Sequence, residues 1–151
     1  MIYRTVVKRK ARGIFEALSR GDWPAAAAEL ADDVHHVFAG ENALGGERHS
    51  REGFERWFER LYRLIPEIEF EVHDVAVRGW PWDTAVAIEW TDRGTGADGT
   101  PYANHGSHWI RLRWGKSVSV HGYLDTARVD NLLDAMAAAG FDEAAAEPIS
   151  G

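Results

Sequence analysis

Residues 98–125, DGTPYANHGSHWIRLRWGKSVSVHGYLD, decide the fold. They contain two runs with the every-other-residue alternation of β-strands, joined at a turn signal, Gly115-Lys116. A two-residue hairpin turn there predicts Trp114 opposite Ser117, Leu112 opposite Ser119, Ile110 opposite His121, His108 opposite Tyr123 and Gly106 opposite Asp125. Residues paired in this way share one face of the sheet. Away from the turn, that face changes from Trp114, Leu112 and Ile110 to His108, His121, Tyr123 and Asp125, with side-chain-less Gly106 beside the carboxylate. An apolar face that becomes polar at one end predicts a small-molecule pocket near Asp125.

Upstream, a loop near Ala97 predicts a second hairpin, with Trp90 opposite Asn104, Ile88 opposite Gly106 and Val86 opposite His108. Val86, Ile88 and Trp90 then point inward, Glu89 and Thr91 outward. Strands are expected at about 67–79, 83–93, 101–114 and 117–124. Three helices precede them. Val7, Ala11, Ile14, Phe15 and Leu18 form one helical stripe, stopped by Gly21. Asp22 is placed to cap a short second helix with Pro24 in its first turn, running through the Ala-rich stretch to Asp32 and Asp33. VHHVF at residues 34–38 is β-prone, and a Gly-rich loop from Gly40 to Gly46 follows. Ser50 opens a third helix with an apolar stripe of Phe54, Trp57, Phe58, Leu61, Tyr62 and Ile65, which Pro66 ends. Asp125 or Thr126 caps a last helix carrying Val129, Leu132, Leu133 and Met136. Helices followed by an antiparallel meander give an α+β fold in which a curved sheet wraps the N-terminal helices. One domain spans residues 1–140, and the Ala/Glu-rich residues 141–151 read as a flexible tail.

The chain has 151 residues, 45% of them hydrophobic, which suits a single core. Its formal charge of −7, without a clustered basic stripe, argues against nucleic acid and anionic membrane surfaces as partners. Cysteine is absent, which removes thiol nucleophiles, disulfides and Cys-ligated zinc. The first residues lack a signal-peptide core, and no segment approaches the ~20 apolar residues of a membrane span, so a cytoplasmic location is expected. His35 and His36 are adjacent and point to opposite strand faces, and neither this pair nor His105 with His108 has a third ligand at a recognised spacing. A site from His108, His121 and Asp125 on one face is geometrically conceivable; neither metal nor cofactor is expected.

The order helix, GDW turn, short helix, DDVHHVFAGENALGGERHSREGF, meander and RLRWGKSVSVHGYLDTARV resembles the SnoaL-like branch of the nuclear transport factor 2 superfamily, which also holds ketosteroid isomerase and limonene epoxide hydrolase. The resemblance covers roughly residues 5 to 137. It implies a cone-shaped barrel, a homodimer, and an open end that admits a hydrophobic ligand. It also implies Asp125 as acid/base, His36 as pocket wall beside Phe38, and the Gly40 to Gly46 loop as part of the mouth. Phe15 stands where an isomerase would carry an oxyanion-binding Tyr, and the Asp pair with intervening Arg of an epoxide hydrolase is missing.

Two functions stay open at this point. In the first, a cofactor-free cyclase or isomerase removes a proton next to a carbonyl, with Asp125 as base and His108 and Tyr123 as donors to the enolate oxygen. In the second, a non-catalytic binding protein or dimeric scaffold uses the same cone to hold an apolar molecule. Trp57, Tyr62, Trp90 and Asn104 are candidate ligand contacts or core, and His121 lies at the rim. Asp125 has a structural alternative as cap for the amides of Ala127 or Arg128. Trp80 and Trp82, flanking Pro81, form a turn with aromatic surface suited to a dimer contact.

Overall fold

The computed structural model describes residues 2–151. Helix α1 (Ile2–Ser19) turns its Val7, Ala11, Phe15 and Leu18 stripe into the interior. It ends as the sequence predicts, with Gly21 at positive φ and its amide bonded to the Leu18 carbonyl. Helix α2 (Trp23–Ala27) is shorter than expected. Asp22 occupies its N-cap position without making a side-chain cap bond. The chain has become strand β1 (Leu30–Phe38) by Asp32 and Asp33. A short strand not expected from the sequence, β2 (Gly46–Arg48), begins at the last residue of the Gly40 to Gly46 loop. In helix α3 (Arg51–Leu64) the Ser50 side chain accepts from the Gly53 amide, and Phe54, Trp57, Phe58, Leu61 and Leu64 are buried.

Four long strands follow: β3 (Glu69–Trp80), β4 (Asp83–Thr95), β5 (Pro101–Arg113) and β6 (Lys116–Leu124). Helix α4 (Thr126–Ala138) closes the domain. The six strands form one curved, unclosed sheet in the order β2-β1-β6-β5-β4-β3, antiparallel except for the β1–β6 pair. The α+β class and the sheet wrapped on N-terminal helices are as the sequence predicts. One core cluster gathers α3, α4, β1 and the end of α1; another joins Val7, Ala11 and Phe15 to Val75, Val86, Ile88 and Trp90. In the last residues, a 3₁₀ turn at Asp142–Ala145 is followed by backbone carbonyls of Glu147, Ile149 and Ser150 that accept from Arg60, Arg48 and Arg56.

Both hairpin registers differ from expectation, with opposite consequences. In the β4–β5 hairpin Trp90 faces Gly106 and Asp92 faces Asn104, a slip of two positions. An even slip keeps every side chain on its face, so Val86, Ile88 and Trp90 remain inside. In the β5–β6 hairpin the turn residues are Trp114 (φ 51°) and Gly115 (φ 81°), with Arg113 opposite Lys116. Two consecutive positive φ values are those of a type I′ turn, whose twist matches that of the flanking strands. Trp114 is therefore an exposed turn residue beside Trp82, their rings 6.2 Å apart, and not part of the inner face. The register then shifts once more between Leu112↔Ser117 and Arg111↔Ser119, which leaves Val118 as an extra residue. That β-bulge makes the total slip odd. Val120, Gly122 and Leu124 face inward in place of Ser119, His121 and Tyr123.

Candidate functional site

The inward row of β5 meets two glycines. Gly106 lies so close to β6 that a Cβ there would sit 2.3 Å from the Tyr123 carbonyl oxygen. At Gly122 a Cβ would come within 3.0 Å of the Phe38 ring and 3.1 Å of His108 Nε2. The missing side chains let β6, Phe38 and His108 pack closely at these positions, and His108 also lines an interior cavity of about 100 Å³. Its walls are mainly apolar: Phe15 and Leu18 from α1, Phe38 from β1, Phe54, Trp57, Phe58 and Leu61 from α3, Phe70 and Trp90 from the sheet. His36, Asp92, Tyr102 and His108 are its main polar groups. A groove of about 250 Å³ beneath α1 adjoins it and shares Ile14, Phe15, Glu29, Ile110 and Ser117 as walls.

Both cavity histidines are held in one tautomer. Trp90 Nε1 donates to His108 Nδ1 at 2.8 Å. An indole only donates, so His108 Nδ1 is the acceptor and Nε2 carries the proton. Burial lowers the His108 pKa to about 4, so the ring stays neutral at physiological pH. Its Nε2–H has no hydrogen-bond partner among the described residues and lies against Gly122, 3.1 Å from where a Cβ would sit there. His36 repeats the arrangement: Arg48 Nη1 donates to its Nδ1 at 2.6 Å, while Nε2 is buried without a partner. Burial first, and the Arg48 charge second, hold the His36 pKa well below its usual value. The ring stacks on Phe54 at 3.6 Å between centroids and meets Trp57 edge-on. Arg48 is itself fully buried, with Nε on the Ile149 carbonyl and Nη2 on that of Gly45.

Asp92 is a functional candidate that the sequence reading passed over. It lies on β4, 7% exposed, with Oδ1 buried and unpartnered. Burial raises its pKa to about 7, against smaller opposing hydrogen bonds from the Asn104 and Asp92 amides. Nearby, Asn104 donates to the Tyr102 hydroxyl and the Asp125 carbonyl, both at 3.0 Å. Burial, followed by the neighbouring Asp92 charge, raises the Tyr102 pKa and keeps its hydroxyl protonated. The signal for Asp92 was present: it continues the inward alternation Val86, Ile88, Trp90 by one step.

Among the residues singled out from sequence, His36, Phe38, Trp57, Trp90 and His108 line the cavity. Trp57 also donates to the Leu44 carbonyl at 2.7 Å. Tyr62 and Asn104 lie outside the lining. The Tyr62 hydroxyl is committed to the Leu18 carbonyl at 2.6 Å, and Asn104 serves the mouth of α4 through Asp125. Tyr123, His121 and Asp125 are not brought together with His108. Tyr123 is 51% exposed on the outer face, with its hydroxyl 3.4 Å from His121 Nδ1. Asp125 Oδ1 accepts from the Ala127 amide at 3.1 Å, and Oδ2 is 3.4 Å from Arg128 Nε. Asp125 and Tyr123 border a solvent-open depression of about 790 Å³ with His73, His105 and Ser107. The bulge at Val118 explains the split, since it turns the polar residues of β6 away from the side that His108 faces.

A profile described as the SnoaL-like domain matches residues 11–120. No curated protein matched the sequence. Among solved structures, an NTF2-like protein of unknown function from Burkholderia pseudomallei is similar, with 22% identity, TM-score 0.71, and 83% of this chain and 95% of that one covered. PrhC from Penicillium brasilianum superposes at TM-score 0.78 with 15% identity, covering 93% and 94% of the two chains. A putative polyketide cyclase from Xanthomonas campestris gives TM-score 0.60 at 21% identity, with 81% and 92% covered. At such identities these structures share the fold, and the profile match over most of the chain carries the family. This chain belongs to the SnoaL-like domain family.

Proposed function

We propose that the interior cavity binds a hydrophobic carbonyl compound and that the protein is a cofactor-free isomerase or cyclase acting on it by proton transfer. The observation that carries this reading is the pair of imidazoles His108 and His36, each with Nδ1 engaged as acceptor and its Nε2–H without a partner among the described residues, in a mostly aromatic space. Such a donor selects a ligand with an acceptor oxygen, which satisfies the buried N–H. The same hydrogen bond strengthens as negative charge grows on that oxygen, which is the requirement for stabilising an enolate.

The proton acceptor in this reading is Asp92, in place of Asp125, whose carboxylate is engaged at the N-terminus of α4. A carboxyl with a pKa of about 7 is suited to take up and return a proton at neutral pH. Asp92 pairs with Asn104, four residues from His108 on β5, so the two sites are roughly 13 Å apart along the sheet. A base this far from the oxygen site suits a carbon conjugated with the carbonyl better than one attached to it. The carboxylate takes the C–H proton, the electron pair moves through the conjugated system to the oxygen facing His108, and the proton returns to another carbon. A polyketide-like or fused-ring ketone has the required length and would fill the cavity of about 100 Å³ and extend into the adjoining groove of about 250 Å³ beneath α1; the similar fold of the putative polyketide cyclase agrees with this substrate class.

The test is hydrogen exchange of bound fused-ring enones in D₂O, with binding measured separately. Deuterium should enter the conjugated position with wild type, should drop by roughly 100-fold or more with Asp92→Asn, and His108→Ala should weaken ketone binding. Tight binding without exchange would leave the non-catalytic reading, which the use of Asp125 as a cap favours.

A further inference from the structure

We infer that the outer face of the β1–β2 pair carries a binding site for one borderline divalent metal ion of the Zn²⁺ type, formed by His35, Glu47 and His49. These residues lie on the side of the sheet opposite the cavity and take no part in the proposed function. In the β1–β2 register His36 faces Arg48 and Val37 faces Glu47. One step further, His35 faces His49. Their rings are stacked at 4.4 Å between centroids and only 5° from parallel. Glu47, two residues from His49 on the same face, reaches both: His35 Nε2 is 3.1 Å from Glu47 Oε2, and His49 Nε2 is 3.7 Å from Glu47 Oε1.

The three donor atoms lie within 4.8 Å of one another. Ligand bonds of about 2.0–2.2 Å at tetrahedral angles put neighbouring donor atoms roughly 3.3–3.5 Å apart. His35 Nε2 lies 3.1 Å from one Glu47 oxygen and His49 Nε2 3.7 Å from the other, so the carboxylate is near that spacing from both rings. The remaining adjustment comes from rotation of His49, whose side chain is 65% exposed and free to turn. Two imidazoles and one carboxylate are a donor set for Zn²⁺, Ni²⁺ or Cu²⁺, unlike the all-oxygen sets of Mg²⁺ and Ca²⁺.

The backbone frame is fixed from the other side of the sheet. Between Glu47 and His49, Arg48 points inward and is held by His36 Nδ1 and the Gly45 and Ile149 carbonyls. The His49 amide donates to the Gly151 carbonyl at 3.0 Å. An anchored backbone carrying rotatable donors lowers the ordering cost of binding. His121 packs edge-on against His35 at 5.1 Å, and its Nε2 is buried without a partner. A further nitrogen donor therefore borders the site. In the sequence His35 stands next to His36, whose side chain points to the opposite face. The partners of His35 come from a strand too short to read, and the relevant pattern is Glu47-x-His49 across from His35.

Calorimetric titration of tag-free protein with ZnCl₂, followed by thermal melts, decides the matter. One ion should bind per chain, and about a hundredfold excess over Kd should raise Tm by roughly 5–10 °C. His49→Ala and Glu47→Gln should each weaken binding by at least about tenfold, since loss even of an outer-shell partner has that effect. His73→Ala, on β3, should leave binding unchanged. The proposal is overturned if wild type shows neither binding nor a Tm shift. It is equally overturned if His49→Ala and Glu47→Gln bind Zn²⁺ as wild type does, which would place the ion at other histidines.

Discussion

His108 and His121 lie on neighbouring strands, yet they occupy different chemical environments. His108 is sealed against Trp90 and Phe15, fixed in one tautomer and held neutral by burial. His121 lies on the other face, beside His35 and the exposed ring of Tyr123. The two differ by one step of pleat, and the step comes from Val118. A single bulged residue thus decides which polar groups of β6 reach the cavity and which reach solvent.

Inserting one residue after Val118 is the strongest way to break this contrast. With a second extra residue, the turn at Trp114 and Gly115 would place His121 opposite His108 and Tyr123 opposite Gly106, directing both inward, where Gly122 now leaves 3.0 Å to Phe38. A phenol and an imidazole have no space there, while Val120 would move to the outer face. The expected result is loss of the cooperative thermal transition and of soluble yield. An insertion protein that melts normally would show that the bulge absorbs a second residue without a change of face.

The legibility of the chain follows the same physics. Helices α1 and α3 could be read because an apolar stripe lies between stop and start signals, Gly21 for one and Ser50 and Pro66 for the other. The β4–β5 face survived a wrong register because the slip was even. The start of β1 was lost because Ala-rich sequence suggests helix, and its inward alternation begins only at Val34. Strand β2 is three residues long and begins at a glycine with φ of 86°, too little pattern for a periodicity argument. Of the site, the aromatic walls and His108 were legible. Asp92 was passed over although its alternation was visible, and the tautomer of His36 depends on Arg48, which only the fold brings to it.

Asp92 sharpens the inner side of the comparison through pH. Its folded pKa of about 7 lies above the ordinary carboxylate value of 3.8. Below pH ~4 the group is protonated in both folded and unfolded chains and costs nothing. As pH rises from ~4 to ~7 the unfolded chain ionises first, so stability falls, and above ~7 the loss stays constant. Three pKa units correspond to an upper bound of about 4 kcal/mol. Asp92→Asn should therefore melt near wild type at pH 4 and clearly above it at pH 8. Parallel Tm curves for the two proteins across that range would remove Asp92 as a buried acid and, with it, the proposed proton carrier.

Asp125 gives the smallest effect and tests the outer side. Its carboxylate caps α4 through the Ala127 amide and lies beside Arg128, a half-exposed pair of little weight. Loss of such a cap costs about 1 kcal/mol, whereas Asn preserves it. Asp125→Ala should lower stability by that amount, seen as a drop of a few degrees in Tm, and Asp125→Asn should recover most of it. Both variants should retain proton exchange on an enone ligand, since neither touches the cavity. If Asp125→Asn restores Tm while exchange is lost, the carboxylate acts chemically in spite of its position. The active surface would then be the open outer depression bordered by Tyr123 and His105.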